Sequence, residues 1–307
     1  MKKKLFGSLI LLITTIIWGS AFASQSKAME FLSPFTFQAI RCGVAAVGLI
    51  PIIIVSDKIT SSNQGFFQKW ADKKLWITGL LCGIPLFLAC NLQQLGLAEE
   101  TDPGKSGFLT AMYVVIVPVI GIFRKQKPTI MIPISIILAV VGLYFLSCVG
   151  TSSISLGDLL TLTCALMFAI QITFIDLWAN NLDPFRLNAI QALVCTICSG
   201  AIALFTESQN LDSIKACLLP IIHTGFFSMG LGYALQIIGQ KRTDPTVASL
   251  IMSLESVFAV IFGWIFCKFG WLDGDGALSS HELFGCILVF TAVILSQIPI
   301  KIKKPRD

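Results

Sequence analysis

The chain has 307 residues, of which 55% are hydrophobic and only 13% are charged, whereas a soluble domain carries about 25% charged residues. So few charged side chains cannot cover a water-facing surface, which excludes an ordinary soluble enzyme or binding domain and indicates that lipid is the solvent. The net charge of +5 does not predict a nucleic-acid partner, because the basic residues form short clusters between apolar runs.

Ten apolar runs follow one another, each close to the roughly 20 residues that a helix needs to cross a bilayer. They leave no room for a sizeable soluble domain. The run that begins at Leu5 lacks a small-residue cleavage site, so we interpret it as a retained first helix and not as a signal peptide. The predicted segments are residues 5–24, 34–55, 75–97, 103–123, 130–148, 156–178, 185–205, 214–236, 245–267 and 281–300.

Lysine and arginine alternate in number between successive loops. Loops on the side of the N-terminus hold 17 of the 22 basic residues, loops on the other side hold four, and Arg41 lies inside the second segment. Positively charged loops stay in the cytoplasm. The sequence therefore predicts a multi-pass protein of the bacterial plasma (inner) membrane with cytoplasmic N- and C-termini.

The two halves of the chain share small and polar residues at matching positions. The first two segments match the sixth and seventh at an offset of 150, and Thr101-Asp102-Pro103 matches Thr243-Asp244-Pro245 at an offset of 142. Each half holds five segments, an odd number, so the second half enters the membrane from the opposite side. The sequence predicts an all-α integral membrane protein with ten transmembrane helices in two inverted five-helix repeats, residues 1–150 and 151–307. Such repeats can rock about a site near the midplane.

Three motifs, in this order, carry a family resemblance. Trp18 to Phe22 (WGSAF) ends the first segment, Ser106 to Thr110 with Tyr113 to Pro118 lies in the fourth, and Leu254 to Ala259 (LESVFA) lies in the ninth. Together they resemble the drug/metabolite transporter superfamily in its ten-helix EamA-type branch, over nearly the whole chain. The resemblance implies the efflux of small metabolites, with amino acids as the usual first guess.

Two features depart from the pattern of that branch. Ser256 stands where the family usually has proline, and the Gly-Glu pair that often closes the fourth and ninth helices is absent. A proline kink at Ser256 and any role of the Gly-Glu pair are therefore not carried over to this chain.

Two charged side chains fall inside predicted segments. Glu255 lies near the middle of the ninth segment, where a charge costs roughly 2.5–3.5 kcal/mol on the insertion scale. It is a candidate for proton coupling or for binding a substrate cation, and a neutral glutamic acid in a helix contact is the alternative. Arg41 is a candidate for binding a substrate carboxylate, because its planar fork matches carboxylates. The alternatives for Arg41 are a pair with Glu255 or a side chain that reaches out to the interface.

Uncharged side chains complete the candidate cavity. Tyr113 lies ten residues past Pro103, near mid-membrane, and matches Glu255 at the offset of 142. Trp18 is a second candidate, with a place in the interfacial aromatic belt as its alternative. Four amides either line the cavity or bond neighbouring helices, because unpaired polar groups are costly in lipid. These amides are Asn91, Gln94, Gln171 and Gln236.

The sequence indicates no enzyme, metal site or cofactor. Ten cysteines are scattered through apolar segments and only two histidines exist, which predicts neither a disulfide framework nor a metal site. No phosphate-binding loop and no nucleophile with a neighbouring base occurs. The predicted partners are the lipid bilayer and a small-molecule substrate, with a zwitterion favoured by one arginine, one glutamate and several amides. No oligomeric state is predicted.

We therefore predict a secondary transporter that exports small metabolites such as amino acids by alternating access, with proton coupling, exchange and facilitated diffusion left open. The alternative on the same fold is a translocator of lipids or lipophilic drugs, whose cavity would open sideways to the bilayer. A membrane enzyme is disfavoured because no catalytic cluster is found, and a passive assembly protein is disfavoured by the inverted repeat.

Overall fold

The computed structural model describes residues 2–60, 65–99, 101, 103–125, 130–147, 149, 154–208, 210–271 and 279–297. These residues form helices and contain no strand, and this confirms the predicted all-α fold. The α-helices, with one π-helical segment (His223–Gly232) between α11 and α12, are α1 (Lys2–Met29), α2 (Pro34–Thr60), α3 (Phe66–Trp70), α4 (Lys73–Ala98), α5 (Pro103–Thr110), α6 (Tyr113–Phe123), α7 (Met131–Ser147), α8 (Leu156–Trp178), α9 (Pro184–Thr206), α10 (Leu211–Ala216), α11 (Leu218–Ile222), α12 (Tyr233–Gln240), α13 (Pro245–Met252), α14 (Leu254–Lys268) and α15 (Ser280–Ser296).

Eight helical stretches within the described ranges are long and apolar enough to cross a bilayer by length and composition. Two further apolar helices, α7 and α15, have 17 residues each and are roughly 26 Å long, at the lower limit of about 17 residues for a span. The chain is therefore a multi-pass membrane protein, and the count of ten spans stays a prediction.

Capping residues fix several helix starts. α9 and α13 each begin at a proline. Proline suits this position because an N–H group in the first turn has no partner within the helix, so its absence costs no hydrogen bond. Each is preceded by an aspartate, Asp183 or Asp244, whose side chain accepts a hydrogen bond from the backbone of the helix. α8 and α15 begin with capping boxes at Ser155 and Ser279. These local signals explain why the predicted sixth segment, residues 156–178, coincides with α8.

Two of the predicted segments are interrupted, a feature that was not predicted from the sequence. The fourth divides into α5 and α6 at residues 111–112, and the ninth divides into α13 and α14 at Ser253. The hydroxyl of Ser253 donates to the carbonyl of Leu250, 2.8 Å away, a local bond that competes with regular helix. The two breaks match at the offset of 142, and each lies within two residues of a candidate side chain, Tyr113 or Glu255.

The predicted eighth segment also differs from a regular helix. Its described counterpart begins at Leu218 and contains the ten-residue π-helical segment. The side-chain amide of Asn188 on α9 donates to the carbonyls of Met229 and Gly230, at 2.9 and 2.8 Å. A Cβ atom at Gly225 would lie 2.7 Å from the carbonyl oxygen of Arg41, so only glycine permits this approach. π-Helical turns are rare and frequently occur at functional sites.

The packing partners of matching helices are exchanged between the two halves. α2 packs along α9, and α7 packs along α15. α4 packs against α8 and α9, whereas the π-helical segment, which matches part of α4, packs against α1 and α2. A two-fold axis between the halves would produce this exchange. The division into inverted repeats, residues 1–150 and 151–307, stays a proposal.

Candidate functional site

A cavity lies where helices from the two halves meet. Its volume is about 30 Å³. α1, α2, α4, α5, α6, α8, α12, α14 and the π-helical segment contribute to its wall. Five of the eight candidate residues predicted from the sequence line this cavity: Trp18, Arg41, Tyr113, Gln236 and Glu255.

Glu255 and Tyr113 meet at one wall of the cavity. The phenol of Tyr113 donates a hydrogen bond to Oε1 of Glu255 over 2.9 Å, and only 4% of Glu255 and 2% of Tyr113 are exposed. Each residue follows a helix break, so the interrupted backbones of α5–α6 and α13–α14 bring the two matching positions together. Because the described partner of Glu255 is a neutral phenol and not a cation, the carboxyl group can gain or lose a proton without breaking an ion pair.

Arg41 reaches the cavity from α2 and is held by two glutamines. Its Nε donates to Oε1 of Gln38, and its Nη1 donates to Oε1 of Gln25, both over 2.7 Å. Its guanidinium group lies 5.3 Å from the ring centre of Phe37. Within the described chain, neither Arg41 nor Glu255 takes part in an ion pair. The cavity therefore presents a cation and an acid that do not pair with each other.

Trp18 is buried against the π-helical segment. Its Nε1 donates to the carbonyl of Ser228 over 3.4 Å, and its ring centre lies 4.8 Å from that of Tyr233. A Cβ atom at Gly232 would lie 2.6 Å from Trp18 Nε1. The indole thus depends on the π-helical backbone for both its hydrogen bond and its space.

Gln236 connects the cavity wall to the interior of the second half. Its Nε2 donates to Oε1 of Gln171 over 3.1 Å, and Nε2 of Gln171 donates to Oε1 of Gln191 over 3.1 Å. Gln171 therefore lies behind the wall and is not among the lining residues. The buried Oε1 of Gln236 has no hydrogen-bond partner among the described residues, so it can accept a bond from a ligand.

The other two predicted amides lie beside the cavity, in bonds to neighbouring helices. Asn91 donates to Oγ of Ser199 on α9 over 2.9 Å, and Gln94 donates to the backbone carbonyl of Gln25 over 3.4 Å. Gln93, one residue earlier, lines the cavity instead. No pattern in the sequence distinguishes Gln93 from Gln94, because α4 has no polar face that would indicate which of the two side chains points into a cavity.

The histidine of the π-helical segment lies outside the cavity, and no metal site is found among the described residues. The ring of His223 lies between two hydroxyls of α1, with Nε2 3.1 Å from Ser20 Oγ and Nδ1 2.8 Å from Ser24 Oγ. His223 is not among the residues that line the cavity. The described residues contain no group of three or more histidine, cysteine, aspartate or glutamate side chains that could hold a metal ion.

A cavity lined by polar and apolar side chains where helices of both halves meet, with interrupted helices beside it, is typical of a membrane transport protein. The model of the EamA-like transporter family matches this sequence twice, over residues 5–148 and 155–297. The chain belongs to that family, and the predicted resemblance is confirmed. Because members of the family are transporters, the prediction that this protein is not an enzyme is also confirmed.

Similar proteins extend over most of the chain. It is 30% identical over 299 residues to an uncharacterized transporter of Archaeoglobus fulgidus, covering 95% of this chain and 86% of the relative. It is 22% identical to the uncharacterized transporter YoaV of Bacillus subtilis, covering 82% and 85%. A solved crystal structure shares its fold with a TM-score of 0.73 at 16% identity, covering 95% of this chain and 98% of the other.

Proposed function

We propose that this protein is a secondary transporter that exports small zwitterionic metabolites, with amino acids as the first class to test. It would work by alternating access in the bacterial plasma membrane. The distribution of 17 basic residues against four between alternate loops supports cytoplasmic termini, because positive loops stay inside.

The observation that carries this proposal is that one cavity holds an arginine and a glutamic acid that do not pair with each other. Arg41 and Glu255 are 3% and 4% exposed, and each is held by neutral partners. A buried charge without a counter-ion is costly. A ligand that carries both a negative and a positive group would therefore be stabilised by Arg41 and by the ionised form of Glu255. A carboxylate would meet Arg41, and an ammonium group would meet Glu255 with Oε1 of Gln236 as a further acceptor.

Alternating access is supported by the irregular backbone beside the cavity. The breaks before α6 and α14 and the π-helical segment supply points at which these helices can bend. The exchanged packing of α4 and the π-helical segment supports inverted repeats, residues 1–150 and 151–307, as the two moving units.

We further propose that Glu255 couples export to the proton gradient. Its described hydrogen-bond partner is the neutral phenol of Tyr113, so proton and substrate ammonium can compete for the same carboxylate. A proton bound from outside would release the ammonium group, and loss of the proton inside would restore the site.

The decisive experiment measures the exchange of labelled amino acids by the purified protein in liposomes, with and without a proton gradient. Flux that depends on the proton gradient supports a coupled exporter. Flux that is the same with and without the gradient supports exchange or facilitated diffusion in place of coupling. Arg41→Ala and Glu255→Gln should each reduce flux, while Asp212→Asn, which alters an exposed pair with Lys215, should not. If no amino acid moves, the zwitterion proposal is wrong and translocation of lipids or lipophilic drugs becomes the better explanation.

A further inference from the structure

One end of the α2–α9 helix pair is closed by an ion pair between a buried arginine and a partly buried aspartate. Both carboxylate oxygens of Asp57, near the end of α2, accept hydrogen bonds from the guanidinium group of Arg186, in the first turn of α9. The Nη1–Oδ1 distance is 3.0 Å, and only 1% of the Arg186 side chain is exposed. We call this contact the Asp57 clamp.

The short helix α3 covers the Asp57 clamp. The guanidinium group of Arg186 lies 5.4 Å from the ring centre of Phe66 and 5.6 Å from that of Trp70. Lys69, on the same helix, donates to Oδ1 of Asp57 over 2.7 Å. Burial under aromatic rings strengthens the attraction between the charges because it excludes water.

The opposite end of the same helix pair is closed by another carboxylate. Glu207, which follows α9, accepts hydrogen bonds from the backbone N–H groups of Phe35 and Thr36, at 3.0 and 2.7 Å. It also accepts one from the hydroxyl of Thr36 at 2.7 Å. A carboxylate at the first turn of α2 is favoured by the unpaired N–H groups and the dipole of the helix. We call this contact the Glu207 clamp.

The two clamps occupy matching positions of the two halves. At the offset of 150, Asp57 matches Glu207, and Thr36 matches Arg186, so each carboxylate reaches the start of the opposite helix. Asp57 lies 21 positions after Thr36, which is roughly 32 Å along a helix and close to the ~30 Å hydrocarbon core of a bilayer. The clamps therefore lie near opposite faces of the membrane.

We propose that the Asp57 clamp and the Glu207 clamp are the two gates of the transport cycle, and that each opens only while the other is closed. The proposal rests on the alternating access proposed above. Both clamps are closed in this structure.

Spin-label distances test both gates without any substrate. One pair of labels is attached at Lys58→Cys and Asn181→Cys beside the Asp57 clamp, and another at Ser33→Cys and Ser208→Cys beside the Glu207 clamp. All four positions are exposed, and the native cysteines are replaced in the parent protein. Distances are measured in lipid nanodiscs for the parent and for each clamp variant.

Asp57→Asn should lengthen the 58–181 distance and remove the longer distances from the 33–208 distribution. Glu207→Gln should lengthen the 33–208 distance and remove the longer distances from the 58–181 distribution. Each variant should change the ratio of the two populations roughly tenfold, the scale expected for losing charge-assisted hydrogen bonds. This reciprocal change separates a gate from a contact that merely stabilises the fold, because a local contact would affect only its own end.

Asp212→Asn, in an exposed ion pair within α10, is the matched control and should leave both distributions unchanged. If Asp57→Asn does not fold, Glu207→Gln still tests the proposal, because it retains an oxygen that accepts from the backbone of α2. A change confined to the neighbouring label pair, or no change at either end, overturns the proposal. The outcome does not depend on substrate identity, so the zwitterion proposal can fail while the gates stand.

Discussion

The two halves of the molecule use the same backbone interruption but different side chains. α5–α6 and α13–α14 break at positions that match at the offset of 142, yet one break is followed by Tyr113 and the other by Glu255. A second pair differs in its backbone, because α4 is a continuous helix and the matching stretch after Leu218 contains the π-helical segment. The second half thus carries the acid and the π-helical segment, whereas the first half carries Tyr113 and the continuous α4.

The largest effect should come from removing the charge that distinguishes the halves. Glu255→Gln keeps the shape of the side chain and an acceptor for Tyr113 but cannot bind a proton or attract an ammonium group. We expect transport to fall at least about tenfold, because a hydrogen bond to a charged group contributes about 1.5–3 kcal/mol. Proton-driven uptake into liposomes is the measurement.

The matching substitution in the first half is the control for Glu255→Gln. Tyr113→Phe removes one donor and retains the acid, so transport should fall less and should still respond to the proton gradient. Full transport activity of Glu255→Gln would contradict a coupling role and leave Glu255 as a packing residue.

A matched pair of glycines tests the difference between the two backbones. Gly225→Ala should lower the free energy of unfolding by about 1–3 kcal/mol, because its Cβ would meet the backbone carbonyl of Arg41 at 2.7 Å. Gly83→Ala, at the matching position in α4, meets Cβ of Val194 at 3.0 Å and no atom nearer, so its loss of stability should be smaller. Thermal unfolding in detergent measures both.

Gly263→Ala is the reference for these two variants, since no atom lies within 4 Å of the added Cβ. It should leave stability unchanged or raise it slightly, as alanine favours helix over glycine. Equal losses for Gly83→Ala and Gly225→Ala would show that the π-helical segment has no special packing requirement.

Arg41 provides a further comparison, because its match at the offset of 150 is the uncharged Gln191. Arg41→Lys retains the positive charge but cannot donate to both Gln25 and Gln38 in the fixed geometry of the guanidinium fork. We expect KM for an amino acid to rise about tenfold in liposome transport assays. An amine that lacks the carboxylate should show no such rise, and an equal rise for both compounds would argue against carboxylate binding at Arg41.

The sequence predicts those features that depend on local residues. The start of α8 at Leu156 follows from the capping box of Ser155, and the start of α9 follows from Asp183 and Pro184. The π-helical segment was missed because it depends on Asn188, a donor from another helix. Gln25 was missed as a cavity residue because the first segment was predicted to end at residue 24, whereas α1 continues to Met29.

The two matching amides were predicted as equivalent cavity residues, and no local signal separates them. Gln236 lines the cavity, whereas Gln94 bonds the backbone of Gln25. The π-helical segment directly precedes α12 and turns its side chains relative to a regular helix, so matching sequence positions no longer face matching directions. The assignment of Gln236 and Gln94 to substrate binding stays a prediction.

The smallest expected effect separates these two amides. Gln236→Leu removes the unpaired Oε1 beside the cavity, so KM for an amino acid should rise about fivefold, within the range of one net hydrogen bond. Gln94→Leu removes a helix contact instead, so stability should fall while KM is unchanged. Transport assays and thermal unfolding are run on both variants. An equal rise in KM for Gln94→Leu and Gln236→Leu would mean that both glutamines contact the substrate, and it would contradict the difference between the two halves.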